Sequence, residues 1–194
     1  MDIQVITDNV ESFDPEWSLI QDIKAGEHKA FEELVNRYQK MLRAYVFIHA
    51  KQLRDSDEDV LQDIFLEILN GAQRFNRQSS VKTWVYKVAK NTINNKKRKR
   101  WLWFLGTEED EQQEIATDPR MEPHGIFQAG HDITVVRECI DLLDANSREV
   151  LHFYEIAGLN YADIAGILNI KVGTVRSRLF NARDKLAQLL REKL

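Results

Sequence analysis

The chain has 194 residues, 43% of them apolar, with three Pro, eight Gly, one Cys and a formal net charge of −4. That apolar content suffices for one compact domain or two small ones, and so few Pro and Gly argue against a turn-rich β fold. A lone Cys rules out a disulfide framework, no apolar run reaches membrane-spanning length, and the acids Asp2, Asp8, Glu11, Asp14 and Glu16 stand where an export signal is basic.

Over residues 19–50, Leu19, Ile23, Phe31, Leu34, Val35, Tyr38, Met41, Leu42, Tyr45 and Val46 keep helical spacing, interrupted near Gly26. The spacing predicts a short helix, a turn and a long helix. Asp55-Ser56-Asp57 then offers an N-cap cluster to a second stripe, Val60, Leu61, Ile64, Phe65, Ile68 and Leu69, ending near Gly71. Its opposite face carries Asp59, Gln62, Asp63 and Glu67, which taken alone is an ordinary solvated face.

Val81, Trp84, Val85, Val88, Ala89 and Thr92 predict a third long helix, running into a tract over residues 82–101 that holds eight Lys and Arg and no acid. Thr83, Lys87, Lys90 and Asn94 lie opposite the apolar stripe, with Tyr86 and Asn91 on its flanks, so that this face can follow a phosphate backbone. Cations mixed with Trp84, Tyr86, Asn91 and Asn95 suit single-stranded nucleic acid, where bases stack or accept amide hydrogen bonds. Composition also leaves open a nonspecific duplex anchor or a solvated helix end. Trp101-Leu102-Trp103-Phe104 is too short to span a membrane and too apolar for a bare tail, and is expected to fold back on the helices before it.

Residues 108–122 reverse the charge, with seven acids against Arg120, and Pro119, Pro123, Gly125 and Gly130 break any helix. The expected organisation is therefore all-α: a helical domain over residues 15–104, a flexible acidic linker over 105–131 and a second helical domain over 132–194. In the second, Val135, Val136, Cys139, Ile140, Leu142 and Leu143 resume the period, which makes Cys139 a small core residue. Asn146 with Glu149, and Asn160 with Asp163, have the spacing of capping boxes.

Residues 161–183 read as a helix-turn-helix that docks a basic helix into the major groove. A short helix carries Ile164, Ala165 and Leu168, Asn169 supplies a residue tolerant of the left-handed conformation, and a second helix follows. Val175, Leu179, Ala182, Leu186 and Leu189 share one face of it, and Gly173, Ser177, Phe180, Asn181 and Asp184 the other, with Thr174 and Arg176 at the edges. Arg can bond guanine in bidentate fashion, Ser and Asn offer mixed donors and acceptors, and an exposed aromatic can touch a thymine methyl. Arg178, Arg183 and Lys185 can neutralise phosphates.

In this order the segments resemble the extracytoplasmic-function group of the sigma-70 family, the dissociable promoter-recognition subunits of bacterial RNA polymerase, over about residues 16–192. DVLQDIFLEIL, residues 59–69, looks like the family's region 2.2, which implies that Asp59, Gln62, Asp63 and Phe65 grip the β′ clamp helices. Residues 73–100 resemble regions 2.3 and 2.4, which implies −10 strand capture by Lys82, Thr83, Trp84, Lys87, Asn91, Asn95 and the loop before Val81. Residues 147–186 resemble region 4, the reader of the −35 element. The match implies DNA contacts from Thr174, Arg176, Ser177, Arg178, Phe180, Asn181 and Arg183, and departs from the family at Asn181, where Arg is common. The partners implied are core polymerase (β′ clamp helices and β flap), promoter DNA and an anti-sigma factor. The place implied is the cytoplasm, at the nucleoid when active or held at the inner membrane by that anti-sigma factor, with no membrane insertion of the chain's own.

The alternative is a self-sufficient helix-turn-helix repressor or activator, which leaves the first domain idle. An enzyme is not expected: His28, His49, His124, His131 and His152 are scattered, no HExxH, phosphate loop or zinc-ligand spacing occurs, and neither metal nor cofactor is implied.

Overall fold

The structure, a computed structural model, describes residues 15–49, 53, 55–106 and 129–193. The acids before residue 15 and the acidic stretch 108–122 lie outside the described residues. Among the described residues there is no strand. The helices are α1 (Pro15–Lys24), α2 (His28–Phe47), α3 (Asp57–Ala72), α4 (Val81–Gly106), α5 (Ala129–Asp141), α6 (Ala145–Leu151), α7 (Tyr161–Leu168) and α8 (Val172–Lys193), with a π-helical turn, His152–Ile156, continuing α6.

The breaks fall where local chemistry demands them. Gly26 takes φ +90 between α1 and α2, a conformation costly to any residue with a Cβ. Ser56 caps α3 by accepting from the Asp59 N–H, and the acids Asp57, Glu58 and Asp59 sit at the positive end of that helix dipole. Ser80 accepts the Thr83 N–H at 3.1 Å and so opens α4. Helices α1–α4 close on a core in which Ile20, Leu34, Leu42, Val60, Ile64, Ile68, Val85 and Ala89 are fully buried. Burying each large aliphatic side chain there contributes about 1.5–3 kcal/mol.

At the far end of α4 the structure departs from the sequence-based expectation. Trp101, Leu102, Trp103, Phe104 and Leu105 do not fold back; α4 continues through them and leaves every one more than half exposed. The basic tract before them has no helix breaker, so propagation adds one backbone hydrogen bond per residue with nothing to stop it before Gly106.

Helices α5–α8 form a second group around Val135, Cys139, Leu143, Val150, Phe153, Ile164, Val175, Leu179 and Ala182. Asn160 caps α7 as expected, accepting the Asp163 N–H at 2.9 Å, and Asn169 ends it in the left-handed conformation, φ 54 and ψ 49. The box expected from Asn146 and Glu149 is not formed. Asp144 is the cap of α6, accepting from the N–H groups of Asn146 and Ser147, and Glu149 faces the other group of helices.

There Glu149 joins the two groups. Only 7% exposed, its carboxylate accepts from Tyr45 Oη of α2 at 2.7 Å and from Lys90 Nζ of α4 at 2.9 and 3.0 Å. Tyr45, Tyr86, His152 and Phe153 pack around it with ring centroids 5.1–5.9 Å apart across the junction. His49 Nδ1 lies 2.9 Å from Lys97 Nζ, so it accepts and the proton sits on Nε2, which points at Glu149 from 3.6 Å.

Candidate nucleic-acid interface

Helix α8 is held by its apolar face, with Val175, Leu179, Ala182 and Leu189 buried and Leu186 partly so. The other face is left to solvent: Arg176, Ser177, Phe180 and Asn181 are exposed, Phe180 to 72%, while Thr174 and Arg178 are half-buried. Several of these side chains are already oriented. The Arg176 guanidinium lies 6.0 Å over the Tyr161 ring, Ser177 Oγ donates to the Thr174 carbonyl at 3.1 Å, and Arg178 reaches Asn146 Oδ1 at 3.4 Å. Arg183, expected on a phosphate, instead pairs with Glu155 through Nε at 2.9 Å and Nη2 at 2.6 Å and covers Tyr154. Both side chains of that pair are about half exposed, 48% each.

A second concavity, about 1250 Å³, lies between α3 and α4. Trp84, Lys87, Asn91 and Asn95 line it in steps of three or four residues, which set side chains in a row along one helix side. The floor at its start is aromatic: Phe75 stacks on Trp84 at 4.6 Å and meets Trp17 edge-on at 5.8 Å. Gly71 makes room for this, since a Cβ there would stand 3.2 Å from the Trp84 ring. The loop before Val81 contributes Asn76, Gln78 and Ser79, with Arg77 at φ 60 turned onto Trp17. A flat indole, amide side chains and a row of cations can hold an unpaired base by stacking and hydrogen bonding and its phosphate by charge.

Two segments match family models, Sigma-70 region 2 over residues 34–102 and Sigma-70 region 4 over residues 133–186. The ECF RNA polymerase sigma-E factor of Escherichia coli (strain K12) is 30% identical over 175 residues, 87% of this chain and 90% of that one. The chain belongs to the extracytoplasmic-function group of the sigma-70 family. RNA polymerase sigma factor HrpL of Pseudomonas syringae pv. syringae is 36% identical over 153 residues, 77% of this chain and 80% of its own. The fold is also that of CnrH, solved with the cytosolic domain of CnrY, at TM-score 0.66 and 22% identity over 93% of this chain and all of that one. RpoE of Bartonella quintana, solved with the anti-sigma factor NepR, gives TM-score 0.66 and 24% identity over 84% and 98%. The protein is thus an alternative RNA polymerase sigma factor.

Within this sigma factor the region 2 face of α3 presents Asp59 and Gln62 fully and Asp63 in part. Lys96 of α4 bridges Asp63 at 2.6 Å and Asp55 at 2.5 Å. Burial by itself lowers the Lys96 pKa, but these two carboxylates outweigh it and hold the ammonium above its ordinary value. Phe65, expected on the polymerase face, is buried and meets Phe31 edge-on, so it supports the surface from behind. Thr83 is likewise buried, its hydroxyl 2.8 Å from Ser80 Oγ, and serves the start of α4 rather than the groove; Lys82 is half-buried and does not line the groove. Lys90 and Tyr86, expected on a nucleic-acid face, are taken by the junction with Glu149 and His152.

That junction is what sequence reasoning missed. His49 and His152 are distant in sequence and read as scattered, yet both stand against Glu149 and Tyr45. The only hint was composition: two His, a Tyr pair and a Glu at apolar-face positions of amphipathic helices. No group of three or more His, Cys, Asp or Glu among the described residues is placed to hold a metal, and no described helix is long and apolar enough to cross a membrane.

Proposed function

We propose that this sigma factor grips core RNA polymerase through Asp59, Gln62 and Asp63, reads a −35 element as duplex with α8, and captures an opened −10 strand in the α3–α4 groove. Residues 15–104 and 132–194 act as the two functional domains, with 105–131 as the linker between them. The observation that carries this reading is the pairing of two unlike nucleic-acid surfaces on one chain. The exposed Arg176, Ser177, Phe180 and Asn181 suit base edges in a major groove. The row Trp84, Lys87, Asn91 and Asn95 suits a base taken out of its stack.

The protein transforms no substrate and uses no cofactor: binding energy for the single strand offsets the cost of unstacking, a few kcal/mol per flipped base. It acts in the cytoplasm, with the β flap receiving its C-terminal domain. RpoE of Bartonella quintana was solved with an anti-sigma factor, and we extend that kind of partner to this chain. Elements at −10 and −35 lie about 25 base pairs, roughly 85 Å, apart along a duplex. Two small helical bodies in contact have centres only about 35 Å apart, so the Glu149 junction parts when both elements are engaged.

Transcription in vitro with purified core polymerase on a promoter library, with and without the protein, tests the reading. Core-dependent initiation at bipartite promoters is the expected result. Absence of initiation, together with a palindromic footprint from the protein alone, overturns it in favour of a free-standing repressor or activator.

A further inference from the structure

The row that lines the α3–α4 groove does not stop at Asn95. It continues through Lys99 to Trp103, again in four-residue steps, and both line the same concavity. From Trp84 to Trp103 the row runs nineteen residues of α4, about 28 Å at 1.5 Å per residue. A stacked strand advances about 3.4 Å per nucleotide, so this length accommodates roughly eight. Of the five exposed apolar residues that end α4, Trp101, Leu102, Trp103, Phe104 and Leu105, only Trp103 faces the groove, and it is 53% exposed.

We propose that Trp103 is a second base-stacking platform, on which an unpaired base of the opened promoter strand lies at the far end of the track that Trp84 begins. The proposal rests on the function proposed above. The surroundings favour a nucleic-acid base over an apolar protein side chain. Arg98, Lys99 and Arg100 line the concavity, and Asn91 and Asn95 offer amides along it. Of the three acids on its opposite wall, Asp55 and Asp63 are held by Lys96, the third being Glu67. An apolar partner seated there desolvates cations it cannot pair, whereas a nucleotide brings a phosphate to the cations and a π-face to the indole. Lys96 and Lys97 are drawn aside, the first to Asp55 and Asp63 and the second to His49, which leaves Arg98, Lys99 and Arg100 as the cations of this stretch.

The test uses holoenzyme assembled from core polymerase and the full chain, on a promoter whose non-template strand carries 2-aminopurine at successive single positions. One position is expected to remain quenched on opening with the wild type and with Trp103→Phe, and to brighten with Trp103→Ala and Trp103→Leu. The lifetime of the open complex under competitor challenge should fall roughly tenfold in the Ala and Leu variants, the scale of one lost base–aromatic stack. Co-purification with core checks that each variant folds. If Trp103→Leu keeps wild-type lifetime, the contact is apolar rather than a stack and the inference is overturned. The same holds if the wild type opens the promoter and no position responds to Trp103. If the wild-type holoenzyme opens no promoter at all, the functional reading fails and this inference with it.

Discussion

The Glu149 junction makes the closed arrangement of the two helical groups sensitive to acid in a defined window. His152 is 2% exposed among Tyr45, Tyr86 and Phe153, with neither ring nitrogen hydrogen-bonded, and burial, reinforced by His49 nearby, lowers its pKa to about 4. His49 is shifted downward as well, by burial first, with Lys97 and Lys90 acting in the same sense against Glu149. When the groups part, both rings meet water and return towards about 6.5. The parted state therefore binds more protons between pH 6.5 and 4, and closure loses stability as pH falls through that range. For His152 alone the loss is about tenfold in the closing equilibrium at pH 5.5 and reaches about 3 kcal/mol near pH 4. Glu149 behaves differently. Burial pushes its pKa up, but His49, Lys90 and Tyr45 together outweigh that and hold it at about 2, so its contribution is whole above about 4.5 and is lost as pH falls through about 2. Of the charged groups facing the histidines, Glu149 favours a further proton on either ring, while Lys90 and Lys97 oppose one on His49; burial outweighs Glu149 at both.

The assay is energy transfer between dyes on exposed positions of the two groups, such as Gln39 on α2 and Arg191 on α8, with the buried Cys139 replaced by Ser. Transfer should fall reversibly from pH 7.5 to 5. His152→Phe keeps the apolar packing and removes the titrating ring, so its transfer should vary much less with pH. Glu149→Ala strips the half-buried Lys90 and the buried Tyr45 hydroxyl of their acceptor, a loss of about 1–3 kcal/mol, and should be more open at every pH. A dye distance constant from pH 7.5 to 5, or a pH response undiminished in His152→Phe, refutes the reasoning.

Other perturbations separate the surfaces. Phe180→Ala removes a ring that is 72% exposed, so thermal stability should move by no more than about 0.5 kcal/mol while selection among −35 sequences in a promoter library collapses. Asp63→Arg reverses one carboxylate of the α3 face and breaks its pair with Lys96; co-purification with core polymerase should weaken at least about tenfold, as a reversed charge at a polar interface implies, with duplex binding by α8 unaffected. Gly71→Ala sets a Cβ 3.2 Å from Trp84, so the indole must move by a few tenths of an ångström. Better helix propensity, about 0.5–1 kcal/mol, should offset that strain in a melting curve, and the change should appear as slower promoter opening. Asn169→Val forces a β-branched residue into the left-handed conformation and should lower stability by about 1–2 kcal/mol in denaturant unfolding.

How far the sequence could be read depended on the range over which each interaction acts. Helix period, caps and breaks are local, and Ser56, Gly26, Asn160 and Asn169 do what their chemistry in a short window dictates. The outward face of α8 was legible for the same reason: one stripe of Val175, Leu179 and Ala182 fixes which side must be buried. The readings that missed concern polar residues whose partner lies far along the chain. Lys90 looks like one more cation in a basic tract until Glu149, 59 residues away, claims it. Thr83 and Phe65 sit within motifs the family uses, yet motif membership does not say which members are contacts and which hold the contacts in place.

The same distinction bears on how the molecule works. The residues left facing solvent, Arg176, Ser177, Phe180 and Asn181 on α8 and Lys87, Asn91 and Asn95 on α4, are those with chemistry suited to a nucleic acid. The polar residues drawn inward, Tyr45, His49, Tyr86, Lys90, Glu149 and His152, hold the two groups against each other. Under the function proposed above, closure leaves the reading faces open but closer together than the two promoter elements lie on a duplex. Its free energy must therefore be offset by polymerase and DNA together, and a junction built on one buried carboxylate is the kind of contact two modest binding events can open.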